Sequence, residues 1–263
     1  MNIKPYYSDS DCTLYNAKWE EVLPQLPEQS VDMVLCDLPY GVTSCEWDTK
    51  PDLERLWKEY RRITKPTAAI VLFGTQPFTT DLVNSARDIF RYEYIWKKSK
   101  GTNFQLAFKN PLKMHENILV FYRKMPVFNQ VNGEKCHEKT YRDIGGVKMA
   151  HLQNKDTDHR RELKNLNKSL LEYGSEHNPE YHATQKPIDL CVWLIRAYTN
   201  KGDIVLDNTC GAGTILVAAK LTGRRSIGVE SELKYCELAV KERLNRPLPL
   251  FDEAGSYDNQ MAF

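Results

Sequence analysis

A chain of 263 residues, 41% hydrophobic and 27% charged, can bury a full core and suits one catalytic domain with a modest insertion. No apolar run approaches the length that spans a bilayer, and the start at Met1-Asn2-Ile3-Lys4 has no secretory pattern, so a cytoplasmic protein is expected rather than a membrane or secreted one. The net charge of +1 hides an uneven distribution: Arg91 to Lys168 carries 17 Lys/Arg against 8 Asp/Glu, a basic middle suited to a polyanion.

In chain order, the helical pattern from Trp19 to Leu26 stops at Pro27, and Val31-Asp32-Met33-Val34-Leu35-Cys36 is a short apolar run ending at Asp37. That reads as helix, turn and buried strand. Asp52 to Ile63 repeats apolar residues on a helical face, and Ala68 to Phe73 is a second buried strand closed by Gly74. A helix over Phe78 to Ala86 and strands over Tyr92 to Lys97 and Asn117 to Tyr122 follow. From Arg123 the sequence turns polar and basic with weak periodicity, which predicts an insertion over 123–180 between a first half (1–122) and a second half (181–244), with a loosely ordered tail (245–263). Pro187 to Tyr198 is an amphipathic helix with proline suited to its first turn. Ile204 to Asp207 is a strand, Gly211-Ala212-Gly213 a glycine loop, Thr214 to Leu221 a helix, Arg225 to Glu230 a strand ending in an acid, and Tyr235 to Leu244 a closing helix. Helices alternating with short apolar strands predict an α/β fold with a mostly parallel sheet.

Seven cysteines without a Cys-x-x-Cys pair read as reduced thiols, with Cys36 and Cys191 as small core residues. The six histidines show no metal spacing, so no metal is expected.

Two segments carry chemistry. In Val205-Leu206-Asp207-Asn208-Thr209-Cys210-Gly211-Ala212-Gly213-Thr214, glycines let the backbone approach a ligand, and Glu230 at the end of the next strand can accept both hydroxyls of a ribose. Leu216 breaks the Gly-x-Gly-x-x-Gly of a dinucleotide site, and no Gly-Lys-Ser/Thr phosphate loop is present, so an adenosine-containing cofactor without a pyrophosphate fits best. In Asp37-Leu38-Pro39-Tyr40, an acid, a backbone carbonyl and an aromatic ring at a strand's carboxyl end make a compact site for a planar group bearing an amine.

With these motifs the chain resembles the β-type amino-methylating DNA methyltransferases, which methylate N6 of adenine or N4 of cytosine. Asp37-Leu38-Pro39-Tyr40 is similar to the family's Asp-Pro-Pro-Tyr, Tyr181-His182-Ala183-Thr184-Gln185-Lys186-Pro187 to its His-Pro-Thr-Gln-Lys-Pro, and His115-Glu116-Asn117-Ile118-Leu119-Val120-Phe121 to a further family stretch. The likeness runs from about Cys12 to Arg243 except over 125–178. It implies a Rossmann-like fold with a seven-stranded sheet, one strand reversed, and S-adenosylmethionine as cofactor. It also implies transfer of a methyl group to an adenine flipped from double-stranded DNA, with Asp37, Leu38, Pro39 and Tyr40 as the catalytic set. Asp207, Asn208, Gly211, Gly213, Thr214, Glu230, Thr184 and Lys186 are the implied cofactor residues. The insertion would recognise the target sequence, and Lys97, Lys98, Lys100, Lys109 and Lys113, interleaved with Phe104 and Phe108, would contact phosphates. A cognate restriction nuclease and a homodimer are partners the family allows, in a bacterial or phage-encoded setting.

The sequence departs from the pattern at Leu38, at Asn208-Thr209-Cys210 in place of Pro-Phe-x, at Ala183, and at Lys18 where an Asp is expected. Methylation of cytosine N4, of an RNA base or of a protein glutamine, or a degenerate nucleic-acid-binding module, are the competing readings.

Overall fold

A computed structural model describes residues 3–41, 50–102, 104, 107–132, 134–135, 163–174 and 185–245. In chain order these form β1 (Tyr7–Ser8), β2 (Cys12–Asn16), α1 (Trp19–Val22) with a 3-10 turn (Leu23–Gln25), β3 (Val31–Cys36), α2 (Leu53–Ile63), β4 (Thr64–Gly74) and α3 (Phe78–Ser85). They continue with β5 (Phe90–Thr102), β6 (Lys113–Phe121), β7 (Glu134–Lys135), β8 (Leu163–Lys164), β9 (Leu170–Tyr173), α4 (Ile188–Tyr198) and β10 (Ile204–Asp207). Last come α5 (Thr214–Leu221), β11 (Arg225–Glu230), α6 (Leu233–Ala239) and a π-helical turn (Val240–Leu244).

The main sheet has the order β1-β2-β11-β10-β3-β4-β6-β5-β9. β2, β11, β10, β3 and β4 run parallel, β6 is antiparallel to both its neighbours, and β5 and β9 are parallel to each other. The seven strands from β2 to β5, with β6 reversed, are the sheet that the resemblance implied; β1 and β9 are short additions at the two edges.

Local chemistry explains the central elements. Val31, Met33, Val34, Leu35 and Cys36 are fully buried, as expected of a parallel strand covered on both faces. Each such side chain contributes on the order of 2 kcal/mol on leaving water. Helix α2 begins where the Asp52 carboxylate accepts from the Arg55 N–H at 3.1 Å, ends with Arg61 and Arg62 at its negative pole, and buries Leu56, Trp57, Tyr60 and Ile63. It packs with α1 and α3 over Val34, Cys36, Ile70 and Leu72, while α4 packs against α5. Cys12, Cys36, Cys191, Cys210 and Cys236 are buried. The two ends of the described chain meet: the Tyr7 hydroxyl donates to Asn245 Oδ1 at 3.1 Å.

Gln130–Lys168 forms a compact unit of its own, in which β7 pairs antiparallel with β8 and the Asn167 N–H donates to Gln130 Oε1 at 2.8 Å. The expected insertion at 123–180 is wider than this unit. Leu170–Tyr173 inside it is strand β9, and the Asn129 amide donates to the Arg196 and Thr199 carbonyls at the end of α4, so both flanks belong to the main body.

Candidate active site

Because β2, β11, β10, β3 and β4 are parallel, their carboxyl ends share one edge of the sheet, where open α/β sheets place ligands. A cavity of about 920 Å³ opens there, lined by four such strand ends, 17–21, 37–40, 207–212 and 229–232, together with 50–52, Glu116, 185–186, Thr214, Ile215 and Tyr235.

Asp37 follows the last residue of β3 and is held from two sides. The Tyr40 hydroxyl donates to its Oδ1 at 2.5 Å, and the Lys186 ammonium is in contact with its Oδ2. Burial next to the Asp37 carboxylate pushes the Tyr40 hydroxyl well above its ordinary pKa, so it stays a donor. The Tyr40 ring packs on Phe78 with centroids 5.3 Å apart. Leu38 is buried, so its side chain belongs to the core and only its backbone is available to a ligand.

The adjoining loop comes from β10. Asp207 is buried, and loss of solvent pushes its carboxyl up to about 7 although the Thr209 N–H donates to it at 3.2 Å. Asn208 is also buried: its Oδ1 accepts from the Tyr60 hydroxyl at 2.5 Å, and its Nδ2 has no hydrogen-bond partner among the described residues. Thr209 ties the two loops together, since its hydroxyl lies 3.0 Å from Cys36 Sγ and donates to the Asp37 carbonyl.

Gly211 and Gly213 have φ of +50° and +78°, a region other residues enter only with strain. A Cβ at 211 would meet nothing within 4 Å, whereas one at 213 would stand 3.1 Å from Ala239 Cβ. The first glycine therefore leaves open space at the cavity and the second permits close packing. Glu230 is fixed by backbone donors, Gly211 N–H to Oε2 and Glu232 N–H to Oε1, each at 2.8 Å, and burial raises its pKa. Thr214 begins α5 behind this loop and is buried. Lys18 lines the cavity; its N–H donates to Glu21 at the start of α1, and the next residue back, Ala17, bonds the Glu230 carbonyl.

Three of the candidate lysines make contacts beyond those expected of them. Lys186, grouped with the cofactor residues, reaches Asp37 and lies 3.4 Å from Glu116. Lys98, grouped with the phosphate-contacting lysines, turns inward with a side chain only 11% exposed, touches Glu116 and sits 5.0 Å from the Trp96 ring centre. The cause is the two-residue period of β5, which puts Tyr94, Trp96 and Lys98 on one face. Lys113 reaches the Thr75 hydroxyl and burial lowers its pKa. Lys97, Lys100 and Lys109 are exposed, with Lys97 3.2 Å from Glu172. Thr184 lies outside the described residues. Thr209 and Glu116 had no role assigned from sequence. The signal for Glu116 was its place inside a recognised stretch, opposite Trp96 in the ladder.

A cofactor of the expected kind fits this donor set. Glu230 offers a fixed carboxylate, Gly211 leaves room for close approach, and Asn208 Nδ2 is a buried donor in the cavity wall with no partner among the described residues. Among the described residues no three His, Cys, Asp or Glu side chains are grouped as metal ligands, and no helix is long and apolar enough to cross a membrane.

The N6/N4 DNA methylase family model matches residues 31–241. The type II methyltransferase M.HpaI of Haemophilus parainfluenzae is 27% identical over 256 residues, spanning 92% of this chain and 76% of that protein. Among solved structures, the PvuII DNA methyltransferase, described as cytosine-N4-specific, is similar with a TM-score of 0.67 at 16% identity, over 99% of this chain and 92% of its own. M1.HpyAVI in complex with SAM is similar with a TM-score of 0.60 at 24% identity, over 89% of this chain and all of its own. These structural likenesses show a common fold.

Proposed function

The chain belongs to the N6/N4 DNA methylase family, and from that premise we propose that it transfers a methyl group to the N6 amine of an adenine flipped out of double-stranded DNA. The family uses S-adenosylmethionine, which when bound supplies an electrophilic methyl group on a sulfonium. The observation that carries the reading is the cavity itself, which joins Asp37 and Tyr40 to Gly211 and Glu230.

In this reading Tyr40 stacks on the flipped base while Asp37 Oδ1 and the Leu38 carbonyl accept the two amine hydrogens. The amine lone pair is delocalised into the ring, and the carboxylate favours the tetrahedral, positively charged nitrogen of the transition state. Pro39 stiffens the turn that sets this spacing. On the cofactor side Glu230 accepts the ribose hydroxyls, Gly211 and Gly213 shape the loop, and Asp207, Asn208 and Thr214 complete the wall, with Thr184 expected nearby. Lys186, expected among the cofactor residues, also contacts Asp37 and is proposed to act on it. Lys97, Lys100 and Lys109, which are exposed, are the lysines favoured for phosphate contact, and the Gln130–Lys168 unit is the candidate for sequence recognition. Action on DNA and the bacterial source of the relative support a cytoplasmic setting, in which a cognate nuclease and a second copy of the chain are candidate partners.

Adenine is favoured because the family pairs Asp at position 37 mainly with N6-adenine and Ser with N4-cytosine. The cytosine-N4 specificity stated for the PvuII enzyme supports the second reading. Incubation with methyl-labelled cofactor and unmethylated DNA of genomic length, followed by digestion to nucleosides, is expected to yield N6-methyladenine. Label in N4-methylcytosine would overturn the base choice, and a folded protein that labels no DNA would overturn the transfer.

A further inference from the structure

Behind Asp37 lies a row of buried charges that alternate in sign. Lys186 touches Asp37 and stands 3.4 Å from Glu116 Oε2, and Lys98 touches Glu116 Oε1. The Lys186, Glu116 and Lys98 side chains are 8%, 12% and 11% exposed. Each ammonium also faces an aromatic ring, Lys186 at 5.2 Å from the Phe73 centre and Lys98 at 5.0 Å from Trp96, so neither end of the row swings freely. Burial alone would raise the Glu116 carboxyl, yet the Lys186 and Lys98 ammonium groups hold it below the ordinary carboxylate range. Lys186 in turn is held above its ordinary range by Asp37 and Glu116 in spite of burial. Lys186 and Glu116 are therefore charged together.

Burying a second lysine and a second carboxylate costs solvation that a simple Asp37–Lys186 pair would avoid. We propose that Glu116 is a positioning residue for methyl transfer: by sharing the Lys186 ammonium it leaves Asp37 with unneutralised negative charge, and it fixes which carboxylate oxygen meets the amine. This rests on the reading of Asp37 given above. With Oδ2 occupied by Lys186, Oδ1 is the oxygen left to turn from the Tyr40 hydroxyl to the base amine. Were Glu116 absent, Lys186 would pair with Asp37 alone and its full charge would oppose the positive charge growing on the nitrogen.

The test compares single-turnover methyl transfer to unmethylated DNA for wild type, Glu116→Gln, Glu116→Asp and the double variant Lys98→Met/Glu116→Gln. Thermal melts and the affinities for cofactor and DNA are measured on each. Glu116→Gln is expected to slow transfer by roughly tenfold to a hundredfold, less than loss of a group that touches the base, with both affinities unchanged, and Glu116→Asp to recover part of the loss. The double variant decides between roles, because it removes a positive and a negative charge together and leaves no orphaned ammonium at position 98. It is expected to melt near wild type and to remain slow. Wild-type speed in the double variant would show that Glu116 only neutralises Lys98, and a loss that tracks cofactor affinity would place its effect elsewhere; either result overturns the proposal. A wild-type protein that labels no DNA would instead overturn the functional reading on which it stands.

Discussion

The Thr209 hydroxyl donates to the Asp37 carbonyl oxygen at 3.0 Å, joining loops that stand 172 residues apart in sequence. This bond fixes the turn that carries Asp37 against the loop that carries Asp207 and Gly211. Thr209→Val keeps the shape and removes the bond, which is expected to cost about 1 kcal/mol of stability and to slow transfer more than it weakens cofactor binding. Thermal melts and single-turnover rates check this; an unchanged rate would show that the two loops hold their spacing without it.

Asp37→Asn preserves the outline of the side chain and removes its charge. Transfer is expected to fall by roughly two to three orders of magnitude, with circular dichroism unchanged and the cofactor still bound. Substantial residual turnover would deny Asp37 the role of orienting the amine.

Glu230 holds its place through the Gly211 and Glu232 N–H groups, so its carboxylate is set before any ligand arrives. Glu230→Gln is expected to weaken cofactor binding by roughly tenfold or more, the cost of losing hydrogen bonds to a charged acceptor, and to leave DNA affinity intact. Calorimetry with cofactor, set beside DNA titrations, separates the two; equal losses in both would contradict the ribose assignment.

Asp207 makes stability depend on pH. Its folded pKa, pushed by burial to about 7, lies above the unfolded value, so the folded state binds the extra proton. Stability from this group is fully present below the unfolded pKa of about 4 and is lost as pH rises through 7. Melting temperature is expected to decline over that window, and Asp207→Asn, which can still accept from the Thr209 N–H, is expected to flatten the decline. Identical pH profiles for the two proteins would refute it.

Gly228 lies in β11 beneath α5, where an added Cβ would come within 2.6 Å of Leu216 Cδ1 and 3.1 Å of Cys210 Sγ. Gly228→Ala is expected to destabilise by about 1–3 kcal/mol through overpacking, read as a lower melting temperature. A neutral result would mean that Leu216 repacks without cost.

The central elements were legible because each carries a strong local signal. β3 is an apolar run broken only at Asp32, and α5 follows a glycine loop with a continuous small and aliphatic stretch from Ile215 to Ala219. β2 was not legible: in Cys12-Thr13-Leu14-Tyr15-Asn16 only Cys12 and Leu14 are buried, so its apolar content is that of a loop, and pairing with β11 is what makes it a strand. β9 has a single buried residue, Leu171, and owes its existence to β5. At the site, Asp37, Tyr40, Gly211 and Glu230 could be chosen because their chemistry suits a ligand directly. Lys98 could not, since composition presents every lysine as surface charge; its inward direction follows from Trp96 two positions earlier, once β5 is known to reach that far. Glu116 and Lys186 are distant in sequence, and their pairing with each other beside Asp37 follows only from the fold.

The hydrogen bond from Tyr7 to Asn245 brings the first strand and the last described turn together, while β3 and β10 lie side by side in the sheet with the Ile204 N–H donating to Asp32 Oδ2 at 3.0 Å. The site thus depends on which strands are neighbours, and not on the order in which the ribosome makes them. A circular permutant opened within Gln130–Lys168 and joined by a short linker across Tyr7 and Asn245 would present the glycine loop before the Asp37 turn and still assemble the same cavity.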